Sequence, residues 1–291
     1  MKKLLSDLYR AIPFKKQLFL LLRSAWKPPE NIYRHLHFRG TFRVKIDETH
    51  SFRMRHYGYQ LENEIFWEGI AGGWEKVSAS IWIRLCKNAG TIIDVGANTG
   101  VYALMAQCLH PGARVIAFEP VKRVFEKLES NIALNRYPIQ AVRAALSETS
   151  GTATIYDTGA EHIYSVTVGK NLCAPGKAVN PVEIPVMRLD EFIEKNAISR
   201  IDLLKIDVET HEAEVLRGFG KYLRLFRPSM LIELLNEEVA AAVEKELAGM
   251  NYYYFNIDER AGIRRVAELG KSDFFNFLVC PEEVARELQL A

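Results

Sequence analysis

The stretch Ile92-Ile93-Asp94-Val95-Gly96-Ala97-Asn98-Thr99-Gly100 constrains this chain more than any other. Its apolar start suits a strand buried on both faces, and the residues from Val101 to Leu109 carry the apolar spacing of a helix. Strand, glycine turn and helix in that order bring backbone close to a ligand, because Gly96 and Gly100 turn tightly where a Cβ would collide. A side chain at Gly96 is therefore expected to enter the space the ligand needs. The spacing is G-x-x-x-G rather than the G-x-G-x-x-G that holds a pyrophosphate, which favours a ligand without phosphates.

Strand-like and helical runs keep alternating downstream, over 114–118, 121–134 and 139–146, then 201–207, 212–225, 230–234 and 239–247. Strands at 252–257 and 273–279 close the pattern. Such alternation predicts βαβ units and an α/β, Rossmann-like fold with a mostly parallel sheet and helices on both faces. Short strand candidates at 152–156, 164–168 and 183–188, around a loop with Gly169, Pro175, Gly176 and Pro181, read as an insertion near the active-site edge. Upstream, 41–46 and 51–56 flank Asp47-Glu48-Thr49-His50 as a hairpin, followed by helical stretches at 61–70 and 74–87. We divide the chain into an N-terminal cap, 1–88, and a ligand-binding domain, 89–291.

The first residues have a character of their own. Leu4, Leu5, Leu8, Tyr9 and Ile12 share one helical face, and after Pro13 the set Phe14, Leu18, Phe19, Leu21, Leu22 and Trp26 repeats it. Residues 1–27 carry seven Lys and Arg against one Asp, and 1–55 carry 13 against four acidic residues, in a chain whose net charge is only +2. Two basic amphipathic helices of this kind suit an anionic membrane surface, or else packing on the protein's own core. The apolar run 18–22 is far below the ~20 residues needed to span a bilayer. Pro13, Lys15 and Lys16 interrupt any signal-peptide core. Cys86, Cys108, Cys173 and Cys280 form neither a C-x-x-C pair nor a zinc pattern. The expected location is the cytoplasm, with peripheral attachment to the inner membrane surface through 1–27.

Two further clusters carry chemistry. Glu119-Pro120 ends the strand at 114–118, nineteen residues beyond Gly100. A carboxylate there, beside the first turn, can accept hydrogen bonds from both hydroxyls of a ribose, which makes Asp94-x-Gly-x-x-x-Gly plus Glu119 a nucleoside site. The run Ile201-Asp202-Leu203-Leu204-Lys205-Ile206-Asp207-Val208-Glu209-Thr210-His211-Glu212 sets charges at the end of another strand. Asp207 is expected beside the crevice, with surface pairing to Lys205 as the plainer explanation of the charges.

DVGANTG, AFEP, ALSE, RLDEF, IDLLKIDVE and LIEL, in that order over 91–235, resemble the FkbM-type family of S-adenosylmethionine-dependent methyltransferases. The resemblance implies a class I methyltransferase fold, a seven-stranded sheet with one antiparallel strand, and O-methylation of sugars, glycolipids, polysaccharides or polyketide-like products. It implies that Asp94, Gly96, Ala97, Asn98, Thr99 and Gly100 form the methionine side of the cofactor pocket. By the same transfer Glu119 and Pro120 meet the ribose, Ala145 and Leu146 line the adenine, and Asp207 approaches the sulfonium. The family commonly has glycine where this chain has Thr210, a β-branched residue that resists positive φ.

Methylating an alcohol requires a base, and His211 and Asp207 are the candidates, with Lys205 beside them. Asp207, Glu209, Glu212 and Glu233 could instead gather around Mg²⁺, although no metal ligand is predicted. Tyr57, Tyr59, Phe66, Trp67 and Trp74, with Asn63 and Glu64, suit a sugar-like acceptor or plain packing. The competing functions are a cofactor-binding scaffold without catalysis, a nicotinamide oxidoreductase, and a nucleic-acid methyltransferase. The last has neither an N-P-P-Y-like motif nor an RNA-binding module to support it, so no nucleic-acid partner is expected.

Overall fold

The computed structural model describes residues 14–157, 180–270 and 272–290. The expectations for residues 1–13, for a strand at 164–168 with its glycine and proline loop, and for Cys173 lie outside these residues. Two compact units divide the chain between Trp74 and Glu75. The break falls before the helix Lys76–Cys86 because that helix packs with the later residues: Trp82 Nε1 donates to the Tyr102 carbonyl at 3.1 Å, and the two rings meet edge to face.

In the first unit, strands β1 (Gly40–Lys45) and β2 (Ser51–His56) form the expected hairpin. Alternation puts Phe42, Val44, Phe52 and Met54 on one buried face. The Asp47 carboxylate accepts from the backbone of Thr49 and His50 and shapes the turn. The helix Gln60–Glu68 supplies Phe66 and Trp67, which are 0% and 1% exposed and pack with Phe19, Phe38 and Phe42. Phe66 and Trp67 therefore cannot face an acceptor; they are the core of this unit. Asn63 is buried as well, its amide donating to the Tyr33 carbonyl at 2.8 Å.

The helix Lys15–Ala25 divides the apolar stripe read from its sequence. Phe19 is buried, whereas Phe14, Leu18 and Leu21, spaced to share a face, are 75%, 51% and 70% exposed. No described helix is long and apolar enough to cross a membrane.

The second unit is built on one large sheet. In chain order its strands are β3 (Thr91–Val95), β4 (Arg114–Phe118), β5 (Gln140–Val142), β9 (Leu203–Ile206), β10 (Ser229–Glu233), β11 (Tyr252–Asp258), β12 (Gly262–Val266) and β13 (Asn276–Pro281). Across the sheet they run β12-β11-β13-β10-β9-β3-β4-β5. Six run in one direction, β3, β4, β5, β9, β10 and β11; β13 runs antiparallel between β10 and β11, and β12 adds an antiparallel edge. Seven strands with one reversed were expected, and the eighth, β12, was not, because its exposed Arg264 and Arg265 interrupt any apolar run. A second sheet joins β6 (Ala145–Leu146), β7 (Gly151–Asp157) and β8 (Asn180–Met187). The run at 139–146 thus serves two sheets.

Chain order reverses at β3, which has β4 on one side and β9 on the other. A crevice at the carboxyl ends of strands flanking such a reversal is where open α/β sheets bind ligands. Gly96 and Asp207 emerge there.

Candidate active site

The glycine turn is tied to its neighbours by its own backbone. Gly96 and Ala97 donate to the Phe118 carbonyl at 3.0 and 2.9 Å, and Gly100 to the Ala97 carbonyl at 2.8 Å. Asn98 N–H donates to Glu119 Oε2 at 3.0 Å. With these four N–H groups already engaged, the turn lacks the open ring of donors that would hold a pyrophosphate. Thr99 Oγ1, in contrast, is buried without a hydrogen-bond partner among the described residues. A ligand with polar groups but no phosphates suits this turn.

Gly96, at φ +80°, is required by the protein itself. A Cβ built there would lie 1.9 Å from the Asp207 carbonyl oxygen. The expectation that a side chain at Gly96 would invade ligand space is therefore replaced by a collision with the backbone of the next strand's end. At Gly100, φ +93°, the obstacle is the Leu128 side chain at 2.5 Å.

Asp94 is 1% exposed and turned inward, accepting from Ala103 N–H at 3.0 Å in the first turn of the helix Val101–Leu109. It braces the helix that starts the site. Glu119 is buried, with Oε1 accepting from Val121 N–H at 2.9 Å and Oε2 from Asn98. A carboxylate has about four lone-pair positions, so two remain for a ligand's hydroxyls. Burial pushes the pKa values of Asp94 and Glu119 up to about 7. Pro120 follows Glu119 in the turn before the helix Lys122–Asn135. Ala145 and Leu146 are buried in β6, Ala145 against Val121, Val124, Ile155, Ile184 and Val186.

At the other side of the crevice, Lys205 on β9 is 1% exposed, its Nζ 3.2 Å from Asp207 Oδ2 and 5.2 Å from the centre of the Tyr102 ring. Lys205 is buried and Asp207 is 30% exposed, so the pair lies at the rim of the crevice rather than on the open surface. Burial opposes the ammonium charge, yet Asp207, Glu75 and Glu233 outweigh it and hold the Lys205 pKa above its ordinary value. One oxygen each of Glu75, Asp207 and Glu233 lie within 4.8 Å of one another. Burial, then the Asp207 charge, raise Glu233 to about 9. Burial, then Asp207 and Glu212, raise Glu209 to about 8.

Of the four carboxylates suggested as Mg²⁺ ligands, only Asp207 and Glu233 are in this cluster. Glu212 instead accepts from Val208 N–H at 3.2 Å, bracing the turn after β9. Thr210 adopts φ +76° and Glu209 φ +55°, so the chain follows the glycine-like path without glycine. The turn directs His211 away to Ser147, whose Oγ lies 3.0 Å from Nε2, and its Nδ1 lies 3.6 Å from Glu214. Glu75 was not among the residues singled out; only the folded chain brings it beside a strand end more than a hundred residues downstream.

The sequence profile described as the methyltransferase FkbM domain matches residues 94–254, more than half of the chain. The chain belongs to that family. Among its relatives, the 31-O-demethyl-FK506 methyltransferase FkbM of Streptomyces tacrolimicus is 32% identical over 151 residues, 44% of this chain and 58% of that one. Methyltransferase sdnD of Sordaria araneosa is 31% identical over 154 residues, 44% of this chain and 59% of that one. A hexuronic acid methyltransferase, AglP of Haloferax volcanii, is 28% identical over 131 residues, covering 45% of this chain and 50% of its own length. The match with each of these FkbM relatives thus covers under two thirds of the relative's own length.

Proposed function

We propose that this chain is an S-adenosylmethionine-dependent O-methyltransferase in which Asp207 is the base. The observation that carries the reading is the position of Asp207: partly exposed, at the end of β9, against the glycine turn, with Lys205 behind it. When bound, the cofactor supplies a methyl group already activated by a cationic sulfur. The protein's part is alignment and proton removal. Asp207 accepts the proton of the acceptor hydroxyl as the oxygen bonds to the methyl carbon and the carbon–sulfur bond breaks toward sulfur. Lys205 holds the Asp207 carboxylate in place. His211, engaged with Ser147 and Glu214, supports the loop after β6. It is the weaker candidate for the base.

The acceptor we favour is a hydroxyl of a sugar, a glycolipid or polysaccharide, or a polyketide-like product. The relatives named for a hexuronic acid and for 31-O-demethyl-FK506 support that class. Incubation with methyl-labelled cofactor and a panel of hydroxylated glycosides and macrolides tests it: label in an ether-linked methyl group is expected, and label only on amine or carbon acceptors would refute it. We also propose that the exposed face of the helix Lys15–Ala25 rests on an anionic membrane surface, which Phe14, Leu18 and Leu21 support.

A further inference from the structure

Glu75 reaches the site from the start of the helix Lys76–Cys86, outside the residues that match the family. Its backbone is left-handed, φ 44° and ψ 42°, an unfavourable conformation for glutamate that the surrounding contacts must maintain. One contact is specific. Glu259, in the turn between β11 and β12, accepts from Val77 N–H at 2.6 Å, Ser78 N–H at 3.1 Å and Ser78 Oγ at 2.5 Å. The carboxylate caps the free N–H groups of the helix start and fixes the residue just before it.

Burial raises the Glu75 pKa, and several groups around the side chain oppose that shift. Tyr102 donates to Oε2 at 2.5 Å, the Asn276 amide bonds to the carboxylate, and Lys205 attracts it. Asn276, 6% exposed and paired across strands with Glu233, has its carbonyl Oδ1 buried without a partner among the described residues. That buried oxygen without a donor lies beside three carboxyl groups that share one ammonium, and the raised pKa values of Glu75 and Glu233 mark the same shortage of positive charge. Lys205 already stands against Asp207, where a divalent ion would have to sit, so the deficit suits a diffuse monovalent cation.

We propose that Glu75, with Asp207 and Glu233, makes the site discriminate the cationic methyl donor from its neutral demethylated product, and that Glu259 is the positioning residue that sets Glu75. This rests on the methyl-donor reading of the crevice. Once the methyl group is gone the sulfur is uncharged, and the attraction that held the donor no longer holds the product. The carboxylates thereby favour exchange of product for fresh donor.

Calorimetry on the full chain at about pH 8.5, with S-adenosylmethionine and S-adenosylhomocysteine as probes, tests this independently of any acceptor. We expect Glu75→Gln to weaken the donor about tenfold, the equivalent of about 1.4 kcal/mol, and to change the product by less than about twofold. Glu259→Ala should act in the same direction, with partial recovery in Glu259→Gln, which keeps one acceptor oxygen. Glu259→Ala carries the comparison if Glu75→Gln does not fold. Equal weakening of both ligands, or of neither, would overturn the proposal. So would tight Mg²⁺ binding that Glu75→Gln abolishes while the donor's affinity stays unchanged. Failure of both ligands to bind the unaltered chain would instead overturn the methyl-donor reading itself.

Discussion

The Asp207 carbonyl oxygen stands against Gly96, only 1.9 Å from where a β-carbon on that glycine would lie. The glycine turn and the residue we propose as the base are thus held together by backbone contact, with no side chain between. Gly96→Ala is expected to destabilise the fold by about 3 kcal/mol or more, since it adds a clash with backbone to an unfavourable φ. Urea denaturation measures it. A variant that folds with native stability and fails only to bind cofactor would show that the strand ends separate readily.

Thr210 presents the opposite case, a β-branched residue holding φ +76°. Thr210→Gly should stabilise the protein by about 1 kcal/mol, relief of strain outweighing the entropy that glycine gains on unfolding. A higher denaturation midpoint is the expected result, and a lower one would mean that the threonine side chain makes contacts worth more than the strain.

The raised carboxyls give stability a pH dependence. Asp94, Glu119 and Glu212 are pushed to about 7, Glu209 to about 8 and Glu233 to about 9, in each case chiefly by burial. Such a group keeps its proton in the folded chain over a range where the unfolded chain has lost it. Its contribution is complete below the ordinary carboxylate pKa and is lost as pH rises through the folded value. Stability should therefore decline from about pH 5 to about pH 9. Denaturation midpoints at pH 6 and 8.5 provide the check, and a midpoint that rises with pH would show these groups ionised in the folded state without penalty.

The two candidate bases separate by mutation. With a hydroxyl acceptor that is turned over, Asp207→Asn should lower kcat by about 10²–10⁴-fold, and His211→Gln by less than about tenfold. Thermal melting of both variants guards against simple unfolding. The reverse order would transfer the base to His211.

The exposed face of the helix Lys15–Ala25 predicts vesicle binding. Full-length protein should sediment with vesicles rich in anionic lipid at low salt and be released as salt rises, because the attraction of basic residues is screened. Replacing Leu18 and Leu21 together by Glu should abolish sedimentation. Unchanged recovery of that double variant would remove the helix from the interaction.

What could be read from the sequence was mostly local. The strand, turn and helix around Gly96 declare themselves within a dozen residues, as does the position of Glu119 at the end of β4. The helix expected over 212–225 is two, Glu212–Phe219 and Lys221–Phe226, because Gly220 turns the chain at φ 58°. Apolar spacing alone does not reveal that break. Phe66 and Trp67 looked equally suited to a sugar or a core, since composition does not say which side of a helix is covered. Glu75, Glu259 and Asn276 carry no short-range signal at all; their roles exist only once distant segments meet.

The Glu259 clamp spans 182 residues, from Val77 to the turn before β12. A chain emerging from the ribosome makes its glycine turn and β3 long before it has Glu259, so the donor pocket is synthesised well ahead of the brace that charges it. Chains that stop short of that turn, or that misplace the edge hairpin, would carry a recognisable nucleoside motif and no ordered Glu75. The contacts that fix the start of the helix Lys76–Cys86 therefore form only once the turn that carries Glu259 has been made.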